Sequence, residues 1–372
     1  MGDIKELKQM QAYPLEIKIL KTQARIREWV NHFGLDNVYV SFSGGKDSTV
    51  LLDIARKIYP SIEGVFVDTG LEYPEIREFV KTFDNITWLH PKMNFYQVIT
   101  KYGYPLISKE ISECVSQARL CLDEIARAER ERERVRQAQD IYIACQNSGI
   151  RLPVRLAKLY GLLDKDNSIK LNADKSAYSC EKYQPLCYTD FRISNKCCNV
   201  MKKSVVHAYK KYPITAQTAE ESRLRTQQWL KNGCNGFAMK RPVSNPMSFW
   251  CEQDVLQYIK QNNLPIASVY GSVVDQQTYE QLSMFDECSK CELKTSGVAR
   301  TGCVFCGYGL HLEKEPTRFQ RLKQTHPRLY EYCMEGGEYV NGIWQPNKKG
   351  LGMRHIFEEL NKIYGDGFIK YQ

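Results

Sequence analysis

The stretch NVYVSFSGGKDSTV at residues 37–50 limits the folds open to this chain more than any other feature. Val38 to Phe42 is a short run of β-branched and aromatic residues, which predicts a buried strand. Ser43-Gly44-Gly45-Lys46-Asp47-Ser48 follows at once, and Thr49 to Tyr59 has helical periodicity. A strand that passes through a glycine pair into a helix N-terminus builds an anion site. Its backbone N–H groups point at the ligand, the helix dipole favours negative charge, and glycine lets the main chain approach closely. Lys46 adds a point charge and Ser43 and Ser48 add hydroxyl donors, so phosphate or pyrophosphate is the expected occupant.

The spacing is neither that of a Walker A loop nor that of the dinucleotide pattern G-x-G-x-x-G. Ser43 to Ser48 resembles the SGGxDS PP-loop of the ATP pyrophosphatase, or adenine nucleotide α-hydrolase-like, superfamily. Further along, Val67–Glu75 (VDTGLEYPE) resembles the D-T-G-x-x-[FY]-P-E element of PP-loop proteins of sulfate assimilation. The resemblance implies that Asp68, Thr69 and Gly70 face the adenine or ribose of a nucleotide through backbone groups.

Around these motifs the sequence predicts an α/β fold, a PP-loop or Rossmann-like, mostly parallel sheet covered by helices. An amphipathic helix is expected over 15–33, with Leu15, Ile17, Leu20, Ile26 and Val30 on its apolar face. Two β–α units follow: Val38–Phe42 with helix 49–59, and Gly64–Val67 with a helix near Pro74–Phe83. A third strand is expected at Ile86–Leu89. The alternation indicates a parallel sheet with ligands at the carboxyl ends of its strands. The segment QARLCLDEIARAERERERVRQAQDIYIACQ reads as a helical insertion whose alternating charges form a solvated face or a contact with nucleic acid or protein. The sheet pattern resumes near 204, with a strand at Pro213–Ala216 and helices at Glu220–Leu230 and Cys251–Gln261. The expected division is therefore a nucleotide-binding domain of residues 1–114 and 176–274, a helical insertion of 115–175, and a cysteine-rich, metal-organised region of 275–372.

No run of 18 apolar residues is present, which argues against a membrane span, and the start lacks a signal-peptide core, so a cytoplasmic protein is expected. Fourteen cysteines then call for metal or catalysis rather than disulfides. A net charge of +9 suits anionic ligands. Two cysteine sets compete. Cys288, Cys291, Cys303 and Cys306 have the spacing of a four-cysteine Zn²⁺ site. The other set joins the adjacent pair Cys197-Cys198 to Cys303 and Cys306, and four thiolates suit either zinc or an iron–sulfur cluster.

The segments SNKCCNVMKKS, TAEESRLRTQQWLKNGCNGF, RPVSNPMSFWCEQDVLQYI and ARTGCVFCGYGLH stand in the order found in phosphoadenosine phosphosulfate (PAPS) reductase-like proteins. Similarity to that family covers about residues 37–110 and 190–312. It implies that Cys197, Cys198, Cys303 and Cys306 bind a 4Fe–4S cluster beside a nucleotide pocket. It also implies that Arg223 and Arg225 contact a phosphate or sulfate, for which the arginine fork is well shaped. Lys202 and Lys203 are candidates for phosphate binding or for compensating cluster charge. Cys114, Cys121 and Cys145 read as buried small hydrophobes, whereas Cys234 and Cys333, in mobile-looking segments, are persulfide candidates.

The chain departs from true sulfonucleotide reductases in two places. Their PP-loop is usually degenerate, whereas SGGKDS is intact here. They carry a C-terminal Glu-Cys-Gly-Leu-His, whereas IYGDGFIKYQ has no cysteine. The expected activity is therefore ATP pyrophosphatase chemistry with Mg²⁺, coupled to iron–sulfur-dependent sulfur transfer, in which the catalytic residues are Lys46, Asp47 and Ser48. Ser43, Gly44 and Gly45 would hold the pyrophosphate. The type resembles enzymes of tRNA thiolation and DNA phosphorothioation, which implies tRNA or DNA as acceptor and a sulfur-donor or reductant protein as partner. The alternatives are reduction of PAPS or adenylylsulfate by an external thiol, and a nucleotide-binding accessory protein with a structural cluster.

Overall fold

The computed structural model describes residues 3–128, 138–149, 151–174, 176–281 and 287–372. The alternating-charge stretch ERERER, residues 129–134, lies outside them. The chain forms two compact units, each assembled from separate segments: Met1–Pro91 with Ser204–Cys303, and Lys92–Lys203 with Val304–Gln372.

The first unit is built on a six-stranded sheet. In spatial order its strands are Ile86–Leu89, Gly64–Val67, Val38–Ser41, Tyr212–Ile214, Val243–Ser244 and Asn235–Gly236. All pairings are parallel except the last, so the α/β expectation of a mostly parallel sheet between helices is met. Val38, Tyr39 and Val40 are essentially inaccessible, as a central strand covered on both faces requires. From this strand the chain first builds outward on one side, to Gly64–Val67 and Ile86–Leu89. It returns on the other side only at Tyr212–Ile214. A topological switch point therefore lies between Val38–Ser41 and Tyr212–Ile214, where a ligand crevice opens at the strands' carboxyl ends.

The helix Leu15–Phe33 forms as the periodicity predicts, entered by Pro14 and closed by Gly34 at φ +84°. Its buried face differs from the expected one. Ile17 and Leu20 are exposed, whereas Lys18, Thr22 and Trp29 turn inward beside Leu15, Ile26 and Val30. The reason is polar pairing. Lys18 Nζ meets Asp254 Oδ2 at 2.6 Å on the helix Glu252–Gln261, and Thr22 Oγ1 accepts the Trp250 indole N–H at 2.9 Å. The same unit carries an antiparallel hairpin, Val273–Gln281 with Glu287–Thr295.

The second unit contains the helices Phe95–Tyr102, Lys109–Ala128, Ala138–Ser148 and Val154–Leu159, then Arg318–Thr325, Pro327–Met334 and Met353–Tyr364. Its two segments are joined by a parallel strand pair, Leu106–Ile107 with Gly307–Tyr308. The division thus differs from the expected one. The second unit starts at Lys92 rather than 115, and it takes in the chain from Val304 to Gln372, which carries three helices, whereas 275–303 falls in the first unit. The cause is tertiary: the Arg119 guanidinium donates to Thr189 O at 3.0 Å and to Phe191 O at 2.5 Å, and the Tyr104 hydroxyl donates to Leu351 O at 2.8 Å. Such long-range ties leave no periodicity in the sequence. No described helix is long and apolar enough to cross a membrane.

Candidate functional site: a phosphate cavity and a cysteine-bearing region

The helix after the first strand begins at Lys46, three residues earlier than its apolar periodicity suggests, with extended Gly45 as its N-cap. The preceding turn is tight. Ser43 Oγ lies 3.1 Å from Ser48 Oγ, Ser48 Oγ donates to Gly45 O at 2.9 Å, and Gly45 N donates to Ser43 Oγ at 3.4 Å. Gly44 sits at φ +69°, and a Cβ there would stand 2.8 Å from Ile76 Cγ2 and Val80 Cγ2. Glycine is required twice over at that position, by conformation and by space.

This turn floors a cavity of about 350 Å³ whose lining belongs entirely to the first unit. From the first strand and its loop come Ser43, Gly45, Lys46, Asp47 and Ser48. Thr215 to Thr218 follow the neighbouring strand Tyr212–Ile214, so the cavity occupies the switch-point crevice. Arg225, Glu252, Tyr270, Arg300 and Thr301 close the walls.

Lys46 is 2% exposed, with its Nζ 3.2 Å from Glu252 Oε1 and 3.5 Å from Asp47 Oδ2. Burial opposes its charge, but the Asp47 and Glu252 carboxylates prevail and hold its pKa above the ordinary lysine value. Its backbone N–H donates to Tyr270 Oη at 3.4 Å, and that hydroxyl shares a hydrogen with Thr301 Oγ1 at 2.6 Å. Burial raises the Tyr270 pKa, so the phenol is neutral and can donate. On the opposite wall Arg225 pairs with Glu221, whose other oxygen lies 3.9 Å from Arg300 Nη1.

Of the expected nucleotide ligands, the structure brings Ser43, Gly45, Lys46, Asp47, Ser48 and Arg225 to this cavity. Arg223, two residues before Arg225, is exposed and does not line it, because Ser222 caps the helix Arg223–Asn232 and, of that helix, its third residue, Arg225, reaches the cavity. Asp68, Thr69 and Gly70 do not line it either. Asp68 accepts Gly70 N at 3.0 Å and Arg77 Nη2 at 2.8 Å, and Thr69 binds Glu72 through both its N–H and its hydroxyl. Those side chains, and with them the main-chain N–H groups of Thr69, Gly70 and Leu71, are engaged within their own turn. Sequence reasoning missed Thr215–Thr218, Glu220, Glu221, Glu252, Tyr270, Arg300 and Thr301. Their signal was positional: polar residues directly after a strand, and the TAEES and ARTGC segments flanking residues already singled out.

The cysteines divide between the units. Cys197, Cys198 and Cys306 belong to the second, and Cys303 ends the first segmental boundary before it. Cys197 and Cys198 lie on a helical turn, Lys196–Cys198, that continues into a π-helical stretch, Asn199–Lys203, a distortion frequent at functional sites. Lys202 and Lys203 belong to that stretch. Cys306 precedes Gly307–Tyr308, and Arg318 clasps the turn by donating to Cys306 O at 3.1 Å and Tyr308 O at 2.6 Å. The paired residue Ile107 stands at φ +62°, strained for a β-branched side chain.

Tyr308 carries the best test of the thiol set. Its hydroxyl is buried without a well-formed hydrogen bond among the described residues, and nearby Ser112 Oγ is engaged by Leu106. Burial first, and then the charges of Cys198, Cys306 and Cys197, push its pKa up. The charges of three of the four expected ligands thus bear on one orphaned hydroxyl, and thiols are donors of the chemical type that iron–sulfur clusters and zinc take. No group of three or more His, Cys, Asp or Glu among the described residues could hold a metal ion as the side chains stand. Cys288 and Cys291 lie on the strand Glu287–Thr295, but their side chains fall outside the described residues.

The other thiols sort by burial. Cys114 and Cys121 are buried as expected, which pushes them up to about 11 and about 12, and Cys145 is buried too. Cys234 and Cys333 correct the reading of mobile persulfide carriers. Both are buried, and desolvation raises both pKa values, so neither offers the accessible thiolate that such chemistry needs.

Residues 37–135 match the phosphoadenosine phosphosulfate reductase domain, so the chain carries a PAPS reductase-like domain of the PP-loop superfamily. An uncharacterized protein of Methanocaldococcus jannaschii is 39% identical over 88 residues, 22% of this chain and 21% of that protein. The chain thus spans about a fifth of that relative's length. The crystal structure of the PAPS reductase of Candida auris in complex with phosphate is similar over 72% of this chain and 91% of that one. Its identity is 14% and its TM-score 0.34, too distant for any residue's role to be carried across.

Proposed function

We propose that the first unit binds ATP with Mg²⁺ and cleaves it at the α-phosphate, and that the adenylated product is then consumed by sulfur transfer. The observation behind this reading is Lys46: a nearly inaccessible, charged lysine at a helix N-terminus, facing a cavity whose far wall carries Arg225. A buried cation at such a position suits a departing pyrophosphate. An oxygen of the acceptor attacks the α-phosphorus, the bond to the bridging oxygen breaks, and pyrophosphate leaves with the electron pair. Ser43, Gly44, Gly45 and Ser48 hold the leaving group, Lys46 neutralises its growing charge, and Asp47 orients Lys46 or the metal. Arg225 holds the oxygens of the α-phosphate that remains. A sulfur nucleophile then displaces AMP from the activated acceptor.

Cys197, Cys198, Cys303 and Cys306 would hold a 4Fe–4S cluster, which supplies a redox-active sulfur-handling centre when bound. The acceptor class in this reading is nucleic acid, tRNA or DNA, which agrees with the net charge of +9. Product analysis tests the reaction. With ATP and Mg²⁺ the protein should release AMP and pyrophosphate, or retain AMP on the acceptor, and Lys46→Ala should not. Sulfite formed from PAPS or adenylylsulfate, without pyrophosphate from ATP, would instead establish a reductase. Nucleotide binding with neither turnover would establish an accessory protein.

A further inference from the structure

The cavity holds more negative than positive charge, which is unexpected for a polyphosphate site. Its lining includes four carboxylates, Asp47, Glu220, Glu221 and Glu252, against three cations, Lys46, Arg225 and Arg300. Each cation already has a carboxylate neighbour: Lys46 has Glu252 and Asp47, and Arg225 and Arg300 share Glu221. Glu252 is the first residue of the helix Glu252–Gln261, and its own N–H donates to Glu220 Oε2 at 3.2 Å. That contact brings two carboxylate-bearing residues together at one wall. Glu252 thus approaches the PP-loop lysine from an element far away in sequence, at 3.2 Å from Nζ.

A bare polyphosphate entering this cavity must compete with Glu252 for Lys46 and is repelled by the excess carboxylate. A polyphosphate carrying a divalent cation meets the opposite balance. The cation gives the carboxylates a new partner, and Lys46 turns from Glu252 to the phosphate oxygens. We propose that Glu252 is a positioning and specificity residue that makes the PP-loop select the metal-complexed polyphosphate over the free anion. This inference rests on the phosphate reading of the cavity but not on which bond of ATP is cleaved. Glu252 acts through Lys46: it withholds the lysine from metal-free anions and lets it go when the metal arrives.

Calorimetric titration of the full chain with inorganic pyrophosphate, with and without Mg²⁺, tests this independently of turnover. The wild type should bind pyrophosphate about tenfold or more tightly with Mg²⁺ than in chelator, the scale of one partly buried charge pair. Glu252→Gln keeps the side chain's size. It should bind metal-free pyrophosphate about tenfold more tightly than the wild type and lose most of the gain from Mg²⁺. Glu252→Asp, which restores the charge, should restore the metal dependence in part. Equal Mg²⁺ dependence in the wild type and Glu252→Gln overturns the inference while leaving the phosphate site intact. A wild type that binds pyrophosphate in neither condition overturns both. Failure of ATP cleavage with the metal dependence present overturns only the proposed reaction.

Discussion

Two turns of the same sheet show what separates a ligand site from a structural turn. Both follow adjacent parallel strands, Val38–Ser41 and Gly64–Val67, and both contain a glycine at positive φ, Gly44 and Gly70. In the Asp68–Glu72 turn the polar side chains satisfy one another, with Asp68 bound to Gly70 N and Arg77 and with Thr69 bound to Glu72. In the Ser43–Ser48 turn the two serines brace the backbone, and a buried lysine is left facing a cavity beside the Glu252 carboxylate, brought from a distant helix. Glycine serves different ends as well. Gly44 is packed against Ile76 and Val80, whereas nothing lies within 4 Å of a Cβ built at Gly70. A turn that closes its own hydrogen bonds is stable alone, while one that leaves a charge for tertiary partners is poised for a ligand.

The largest test of this contrast is Lys46→Ala, expected to lower ATP turnover at least about 100-fold, as loss of a charge aimed at a leaving group does. Gly44→Ala comes next. Its strain and its clash with Ile76 and Val80 should cost about 1–3 kcal/mol of stability and displace the loop, measurable by denaturant unfolding together with turnover. Gly70→Ala meets positive φ but no clash, and should cost less, about 1 kcal/mol. The two arginines of one helix provide a sharper comparison. Arg225→Ala should weaken ATP binding about tenfold, whereas Arg223→Ala should change it less than about twofold. The smallest catalytic effect is expected at the second turn. Asp68→Asn should lower stability by about 1–2 kcal/mol through its bond to Arg77, while turnover stays within about threefold. Large equal losses at Lys46 and Asp68 would erase the distinction.

The linear sequence revealed the first wall of the cavity because strand, loop and helix N-terminus are contiguous there. The strand at Ile86–Leu89 and the helix Leu15–Phe33 were legible for the same reason, since short-range periodicity fixes them. The opposite wall was not. Thr215–Thr218 reach the site because Tyr212–Ile214 pairs with the first strand, and Tyr270 and Glu252 arrive on later elements. No local pattern encodes those approaches. The buried face of Leu15–Phe33 escaped for a related reason: Lys18 looks solvent-facing until Asp254 is placed beside it. The same holds for Arg223 and Arg225, which are equivalent in composition and are separated only by where Ser222 caps their helix.

The central claim is that the intact SGGKDS loop handles the pyrophosphate of ATP. Isotope exchange between pyrophosphate and ATP, measured anaerobically with Mg²⁺ and candidate acceptor nucleic acid, tests it most directly. The account predicts exchange by the wild type that is abolished in Lys46→Ala and weakened in Arg225→Ala. Sulfite release from adenylylsulfate or PAPS, with no exchange in any condition, would contradict it.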